Sequence, residues 1–434
     1  MVLEIKIVHP LKDFKELSLR LPSSKSLTQR AYLCSALAQG ECLVKNPLRS
    51  EDPELLKKAL EATGVIFEEK EEGYLVKGVS GTPVLSKERV FFGNNGTGAR
   101  FFLAYACLGK GEWIELYGKD RLHERPMEAL IQALRGLSAK IECLKKEGYL
   151  PVRIYESSLK SGRVELPGHI SSQFISALLL IGPYLPQGIE IEIKGELFSK
   201  SYIEMTCEVM RHFGISPEES DGLLRVSPGA YQGRVYEVPA DASSASYFLA
   251  IPLILGRGRI RIENFDGKTK QADAVFLEFA KAFGAEVKVY EPLGVELSFE
   301  GRPKALSLNI RDCPDLFPTL AVIGAVSEGR TVLYGAPHLR YKETDRIKAM
   351  AKELSKLGVK VEEIPDGLIL YGGESFNPAQ IETYDDHRIA MAFAVLGLRV
   401  GPLKIENPGC VAKSFPEFWE LFEKIYYENT SHRF

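Results

Sequence analysis

Residues 240–264 read ADASSASYFLAIPLILGRGRIRIEN. Small and polar residues open the stretch, a wholly apolar run of helical length follows, Gly256 and Gly258 stop it, and RIRI alternates as a half-buried strand does. The same succession recurs at residues 23–40 (SSKSLTQRAYLCSALAQG), 96–111 (GTGARFFLAYACLGKG), 171–188 (SSQFISALLLIGPYLPQG), 314–329 (PDLFPTLAVIGAVSEG) and 385–401 (DDHRIAMAFAVLGLRVG). Each apolar run is followed by a strand-like segment: ECLVKNPL, EWIELYG, IEIEIKGEL, RIRIENF, RTVLYGA and PLKIENP.

An amphipathic helix comes next in every copy. Five of these helices are expected to end at Gly64, Gly136, Gly214, Gly284 and Gly358, spaced 70 to 78 residues apart, before the chain turns to β-rich segments. The sixth, SFPEFWELFEKIYYEN at 414–429, has no β-segments after it, whereas the chain begins with two, LEIKIVHP and ELSLRLP, that no helix precedes. Residues 1–22 therefore complete the sixth copy in this reading. Three copies make a domain of residues 23–238; residues 1–22 plus 239–434 make a second, and the chain crosses between them twice. The fold class is α/β (α+β), with two similar three-repeat domains.

Composition narrows the function. Among 434 residues, 55 Lys and Arg stand against 58 Asp and Glu, a net charge of −3, so no global basic field is available to hold nucleic acid. The seven cysteines are scattered and form no C-x-x-C pair, which points to a reducing compartment, here the cytoplasm, and away from disulfides or structural zinc. The N-terminus lacks the apolar core of a signal peptide, and no apolar run approaches the roughly 18 residues of a membrane span.

The openings of the apolar runs carry the unusual chemistry. Helix N-termini favour anions, and Ser, Thr or Asp there also serves as an ordinary cap. Caps do not explain the cations beside them: Lys25 and Arg30 flank Ser26, Arg100 follows Gly96 and Thr97, and Arg388 follows Asp386 and His387. Cations buried among apolar residues need partners, and phosphate or carboxylate groups suit the planar fork of Arg. LRYKETDRIKAM adds Lys342, Glu343 and Arg346, the last two read as i, i+3 on one helical face; Lys413 stands just ahead of the last helix; Arg121 and Arg125 precede Pro126.

Taken together, SSKSLTQR (23–30), GNNGTGAR (93–100), ERPM (124–127), SSQF (171–174), SKSYI (199–203), ADASSASYFLA (240–250), PDLFPTLAV (314–322), KETDR (342–346), YDDHR (384–388) and NPGCVAKSFP (407–416) resemble the enolpyruvyl transferase family, in its 5-enolpyruvylshikimate-3-phosphate-forming branch. The resemblance spans essentially the whole chain. It implies two domains of three βαβαββ units each, an inside-out α/β barrel, and transfer of the enolpyruvyl group of phosphoenolpyruvate to the 5-hydroxyl of shikimate 3-phosphate through a tetrahedral intermediate. No metal or organic cofactor is implied. The partners are the two small substrates, with neither nucleic acid nor membrane, and the chain is expected to be a monomer.

By resemblance, Lys25, Ser26, Arg30, Ser171, Ser172, Gln173, Ser199, Tyr202, Asp315 and Lys342 hold shikimate 3-phosphate. Lys25, Gly96, Arg125, Gln173, Arg346, Arg388 and Lys413 surround phosphoenolpyruvate. Asp315 contacts the reacting hydroxyl and Glu343 lies near the methylene carbon, with Lys25 or Lys413 sharing the proton work. Such crowding of cations suits two multiply charged anions, and two carboxylates suit one proton task at oxygen and one at carbon.

The chain departs from the family pattern at Ser23, Asn95, Gly98, Ala99, Phe101 and His338, and bulky Phe101 is expected to alter packing at the phosphoenolpyruvate side. Glyphosate competes with phosphoenolpyruvate in this family, and the retained Gly96 favours sensitivity. The sister enzymes that act on UDP-N-acetylglucosamine are a rival reading, but the loop KGEWIELYGKDRLHERP lacks their reactive Cys, and Cys107 reads as a core residue. GNNGTG lacks the Gly-Lys-Ser/Thr of a phosphate-binding loop, which disfavours a nucleotide enzyme. A non-catalytic anion binder would be weakened by Asp315 and Glu343. His9, His212 and His432 read as solvent contacts. Since both halves carry cations, an open free form and a ligand-closed form are expected, hinging near residues 20–24 and 236–241.

Overall fold

The computed structural model describes residues 4–430. The chain separates into two compact units, Ser23–Pro239 and Met1–Pro22 joined with Ala240–Phe434.

Burial explains the apolar runs. In Ser23–Pro239 they form the helices Lys25–Leu37, Gly96–Ala106 and Ser172–Ile181, which are buried on nearly every side and pack on one another. The other unit has Ala242–Leu249 with Ile251–Leu255, Phe317–Val326 and His387–Val400; 13 of the 14 residues of His387–Val400 are buried. A helix apolar all round can only lie inside. The amphipathic helices Glu51–Glu61, Glu128–Gly136, Lys200–His212, Phe276–Phe283 and Arg346–Lys356 follow, and each bury one face.

The strand ahead of an apolar helix pairs parallel with the strand behind it, as a βαβ crossover requires. Glu88–Phe91 runs beside Trp113–Tyr117, Gly162–Pro167 beside Ile189–Lys194, Ser307–Asn309 beside Arg330–Tyr334, and Ala379–Ile381 beside Leu403–Glu406. Antiparallel strands extend each of these sheets on the far side.

The two crossings break the rule and correct the reading of residues 1–22. Ile5–Val8 does complete the sixth copy, pairing antiparallel with Leu403–Glu406. Glu16–Leu19 does not. It lies parallel to Arg257–Ile262 in the sheet of the fourth copy, while Val235–Glu237 lies parallel to Glu41–Lys45 in the sheet of the first. Each strand that precedes a crossing stays with the unit it leaves. The cut ends meet within their own units: Ser24 N–H donates to Pro239 O at 2.8 Å, and Asp241 N–H to Pro22 O at 3.0 Å.

Three local expectations also shift. Gly64, Gly214, Gly284 and Gly358 take the left-handed conformation that ends a helix, but Gly136 remains helical and Ser138, at φ +74°, turns the chain instead. Arg346–Lys356 starts at Arg346, so Glu343 lies ahead of the helix rather than on its face. Lys413 ends a 3-10 turn, Pro408–Lys413, and the last helix begins only at Phe418.

Candidate functional site

Within residues 240–430 the candidate residues converge on one buried guanidinium. Arg346, 1% exposed, donates from Nε to Asp386 Oδ2, from Nη1 to Asp315 Oδ1 and from Nη2 to Glu343 Oε2, each at 2.8 Å. Arg388 Nη2 reaches the other oxygen of Asp315 at 2.7 Å, and its Nη1 donates to the Tyr247 hydroxyl at 3.1 Å. Lys342 Nζ stands 3.9 Å from Asp315, and Lys413 Nζ 3.9 Å from Glu343. Four cations thus face three carboxylates. This cluster is therefore close to charge balance.

Electrostatics separate the acids. Burial alone would raise Asp315, but the charges of Arg388, Lys342 and Arg346 outweigh it and hold its carboxyl well below the usual range. Asp273, 2% exposed, behaves oppositely: burial first, and then the charge of Asp315, push it up to about 7, with one oxygen taking the Ser243 hydroxyl. His338 is buried and pushed down to about 3, first by desolvation and then by Lys342, so it is a neutral ring at pH 7.

Within residues 23–239 the candidates form a linked second group. Lys25 Nζ pairs with Asp52 at 3.0 Å. Asn95 Nδ2 donates to the Asp52 carbonyl at 2.7 Å and to Gln29 Oε1 at 2.8 Å. Arg30 donates to Thr206 Oγ1 at 2.8 Å and to the carbonyls of Ser26 and Tyr202 at 2.9 and 3.1 Å; burial lowers its guanidinium to about 10. Arg100 donates to Gln173 Oε1 and to the carbonyl of Pro126, and Gln173 Nε2 donates to Thr97 at 2.8 Å. Arg125 donates to the carbonyl of Asn94 at 3.3 Å and lies so close over Gly96 that a β-carbon there would come 2.5 Å from the guanidinium. Ser171 caps the helix that Ser172 begins, and Ser199, at φ +58°, stands at the start of Lys200–His212, which carries Tyr202. Phe101 is buried, and the guanidinium of Arg30 lies 5.2 Å from its ring centre.

The helix openings divide by charge. Ser24, Asn95 and Ser171 cap their helices with neutral groups, whereas Asp241 and Asp386 cap theirs with carboxylates, accepting from Ser244 N–H at 2.8 Å and Arg388 N–H at 2.9 Å. A helix start already holding an anion offers little to a phosphate. Of these five starts, the phosphate-friendly ones therefore belong to residues 23–239.

Sequence patterns did not single out Asp52, Thr206, Tyr247 or Asp273. Asp52 looks like a first-turn acid, and only its contact with Lys25 gives it meaning. Cys107 is buried and donates to Leu103 O, as a core residue does. His9 and His212 are exposed, though His212 also bonds the Val235 carbonyl at 2.7 Å; His432 lies outside the described residues. Among the described residues no helix is long and apolar enough to cross a membrane.

Comparison with known proteins adds independent findings. A family model described as EPSP synthase (3-phosphoshikimate 1-carboxyvinyltransferase) matches residues 15–422. A 3-phosphoshikimate 1-carboxyvinyltransferase of Trichormus variabilis is 38% identical over 412 residues, covering 94% of this chain and 96% of the relative. One of Methanothermobacter thermautotrophicus is 38% identical over 408 residues, covering 94% and 95%. A solved EPSP synthase of Acinetobacter baumannii superposes with a TM-score of 0.79 at 28% identity, covering 98% of both chains. The carboxylate-bound Arg346, the lysine and arginine groups at the helix starts and a match running nearly from end to end lead to one assignment: the chain belongs to the EPSP synthase (3-phosphoshikimate 1-carboxyvinyltransferase) family.

Proposed function

We propose that this chain transfers the enolpyruvyl group of phosphoenolpyruvate to the 5-hydroxyl of shikimate 3-phosphate, giving 5-enolpyruvylshikimate 3-phosphate and phosphate in the shikimate pathway of aromatic amino acid biosynthesis. The observation that carries the chemistry is that Arg346 binds Asp315 and Glu343 through one guanidinium. In the addition step the methylene carbon of phosphoenolpyruvate takes a proton, positive charge grows on the adjacent carbon, and the substrate hydroxyl oxygen bonds there as it loses its proton. Two carboxylates flanking that carbon stabilise the charge. Elimination removes a proton from the new methyl group and breaks the bond to phosphate.

Glu343, 3.9 Å from Lys413, is the group we assign to the carbon. Asp315 is held too far below the usual range to be a strong base, so it accepts a hydrogen bond from the substrate hydroxyl and stabilises charge; the proton the hydroxyl gives up makes good, by way of Lys25 or Lys413, the one Glu343 delivers to carbon. Lys25, Ser26, Arg30, Ser171, Ser172, Gln173, Ser199 and Tyr202 receive shikimate 3-phosphate together with Asp315 and Lys342. Gly96, Arg125, Arg346, Arg388 and Lys413 receive phosphoenolpyruvate, with Lys25 and Gln173 at both. The neutral caps Ser24 and Ser171 support a phosphate on that half. We extend the reading to a cytoplasmic monomer; sedimentation of the purified chain checks the oligomeric state.

The test is phosphate release from phosphoenolpyruvate, measured with and without shikimate 3-phosphate. Release must need both substrates, and UDP-N-acetylglucosamine must not substitute. Glu343→Gln and Asp315→Asn, both folded by circular dichroism, are expected to lose on the order of a hundredfold or more in kcat. A folded variant with near-parental kcat would remove that residue from the mechanism.

A further inference from the structure

Directly ahead of Asp386 the backbone does something unusual. Tyr384 and Asp385 both adopt left-handed conformations, at φ +55° and +54°, and so does Asn407, at φ +45°. None is glycine, and a bulky aromatic residue is the least suited to such a backbone. Strain of this kind persists only where surrounding contacts over-determine it.

The contacts are specific. The Tyr384 hydroxyl donates to Glu353 Oε1 at 2.7 Å, and Glu353 Oε2 takes the backbone N–H of Glu382 at 3.0 Å. Glu353 is fully buried and also paired with Lys356. On the other side, Asn407 Nδ2 donates to Asp385 Oδ1 at 3.1 Å, tying the strained pair to the segment that leads into Lys413.

Glu353 stands on the same helix as Arg346, seven residues on and so about two turns away on the same face. Residues 382–386 are therefore fastened to this one helix at two points: Glu353 holds Glu382 and Tyr384, and Arg346 holds Asp386. The strained pair spans the interval between. Asp386 also accepts the N–H of Arg388 at 2.9 Å, and Arg388 in turn reaches Asp315. Any relaxation at Tyr384 moves Asp386, and with it both arginines.

We propose that Tyr384 and Glu353 are positioning residues of the transferase reaction, forming a strap that holds a strained turn so that Asp386, Arg346 and Arg388 keep their geometry toward phosphoenolpyruvate. The proposal rests on the enolpyruvyl transfer assigned above. It requires no contact between the strap and either substrate.

Tyr384→Phe removes only the hydroxyl. Its expected effect is a fall of about tenfold in kcat/KM for phosphoenolpyruvate, with less than a twofold change in binary affinity for shikimate 3-phosphate, measured by calorimetry. Glu353→Gln keeps one acceptor oxygen for the Glu382 N–H, and its amide N–H can donate to the Tyr384 hydroxyl oxygen, so it should stay within about threefold of the parent, whereas Glu353→Leu should reproduce the Tyr384→Phe loss. A role in stability alone would lower the melting temperature and leave kcat/KM per folded molecule unchanged, and that result overturns the proposal.

A readout independent of turnover separates this claim from the assigned activity. Amide hydrogen exchange at Asp386 and Arg388 should quicken at least about tenfold in Tyr384→Phe, while amides within Phe317–Val326 keep their protection. Unchanged exchange at those two amides would overturn the strap even if the parent chain proved inactive in phosphate release.

Discussion

Gly96 shows how one absent atom arranges a site. The Arg125 guanidinium fills the place a β-carbon would need, 2.5 Å away, and it is the far end of a flexible side chain. Gly96→Ala should therefore push the arginine aside and spare the backbone: a several-fold higher KM for phosphoenolpyruvate, with a melting temperature within about 2 °C of the parent. Asp273 makes a prediction in pH. Its folded-state carboxyl lies above its ordinary value of 3.8, at about 7, so the folded protein holds that proton more tightly than the unfolded chain does. The stability this confers is complete below the ordinary value and is lost as pH rises through about 7. Asp273→Asn carries no such proton, so its melting temperature should gain on the parent's between pH 5 and pH 8 and then run parallel. A constant difference across that range would show that Asp273 does not titrate there. Sequence had put Arg346, Asp315 and Glu343 into one proposed site, but not Asp273: an aspartate in KQADAVF looks like any helix-start acid, and only burial beside Asp315 sets it apart.

Periodicity and glycine spacing marked out most helices and strands because burial of apolar runs dominates their placement. Where they failed, the cause was local. Gly136 looks equivalent to Gly64 and Gly214 in the pattern, yet the left-handed turn passes to Ser138. KETDR was read as helical from Glu343, but Asp345 caps the helix by accepting from Lys348 N–H at 3.0 Å and so sets its start at Arg346. Caps of this kind carry weight. Asn95 is fully buried, accepts from Gly98 N–H at 2.8 Å, and also bonds Gln29 and the Asp52 carbonyl. Asn95→Ala removes all three bonds, and urea unfolding should show a loss of about 2 kcal/mol or more, since a cap alone is worth ~1 kcal/mol and a buried carbonyl acceptor is orphaned besides.

For the molecule as a whole, the repeat count and the discontinuous second unit could be read from where β-segments lacked a helix. The exchange of strands at the crossings could not, because Glu16–Leu19 and Val235–Glu237 each precede an apolar helix in the same way that Glu88–Phe91 does. Pairing across about 190 to 240 residues leaves no trace in local pattern. Removal of residues 1–22 takes away Val8, Phe14, Leu17 and Leu19, all buried in the core of the unit that includes 240–430. Hydrogen exchange of the truncated chain should show Arg257–Ile262 and Leu403–Glu406 unprotected, with Ile189–Lys194 unaffected. Full protection of the first two would mean that the N-terminal strands are dispensable. The same arrangement governs events on the ribosome. Ile5–Val8 finds its partner Leu403–Glu406 only after some 400 further residues have been made, about 20 to 80 seconds at ordinary elongation rates. Glu16–Leu19 waits for Arg257 while an entire unit is synthesised and can fold between the two. Through that interval the two early strands and the segment between them carry Ile5, Ile7, Phe14 and Leu17 with no sheet to join, so a stretch made well before its partners is among the last to be folded, and it is there that a holdase would have most to protect.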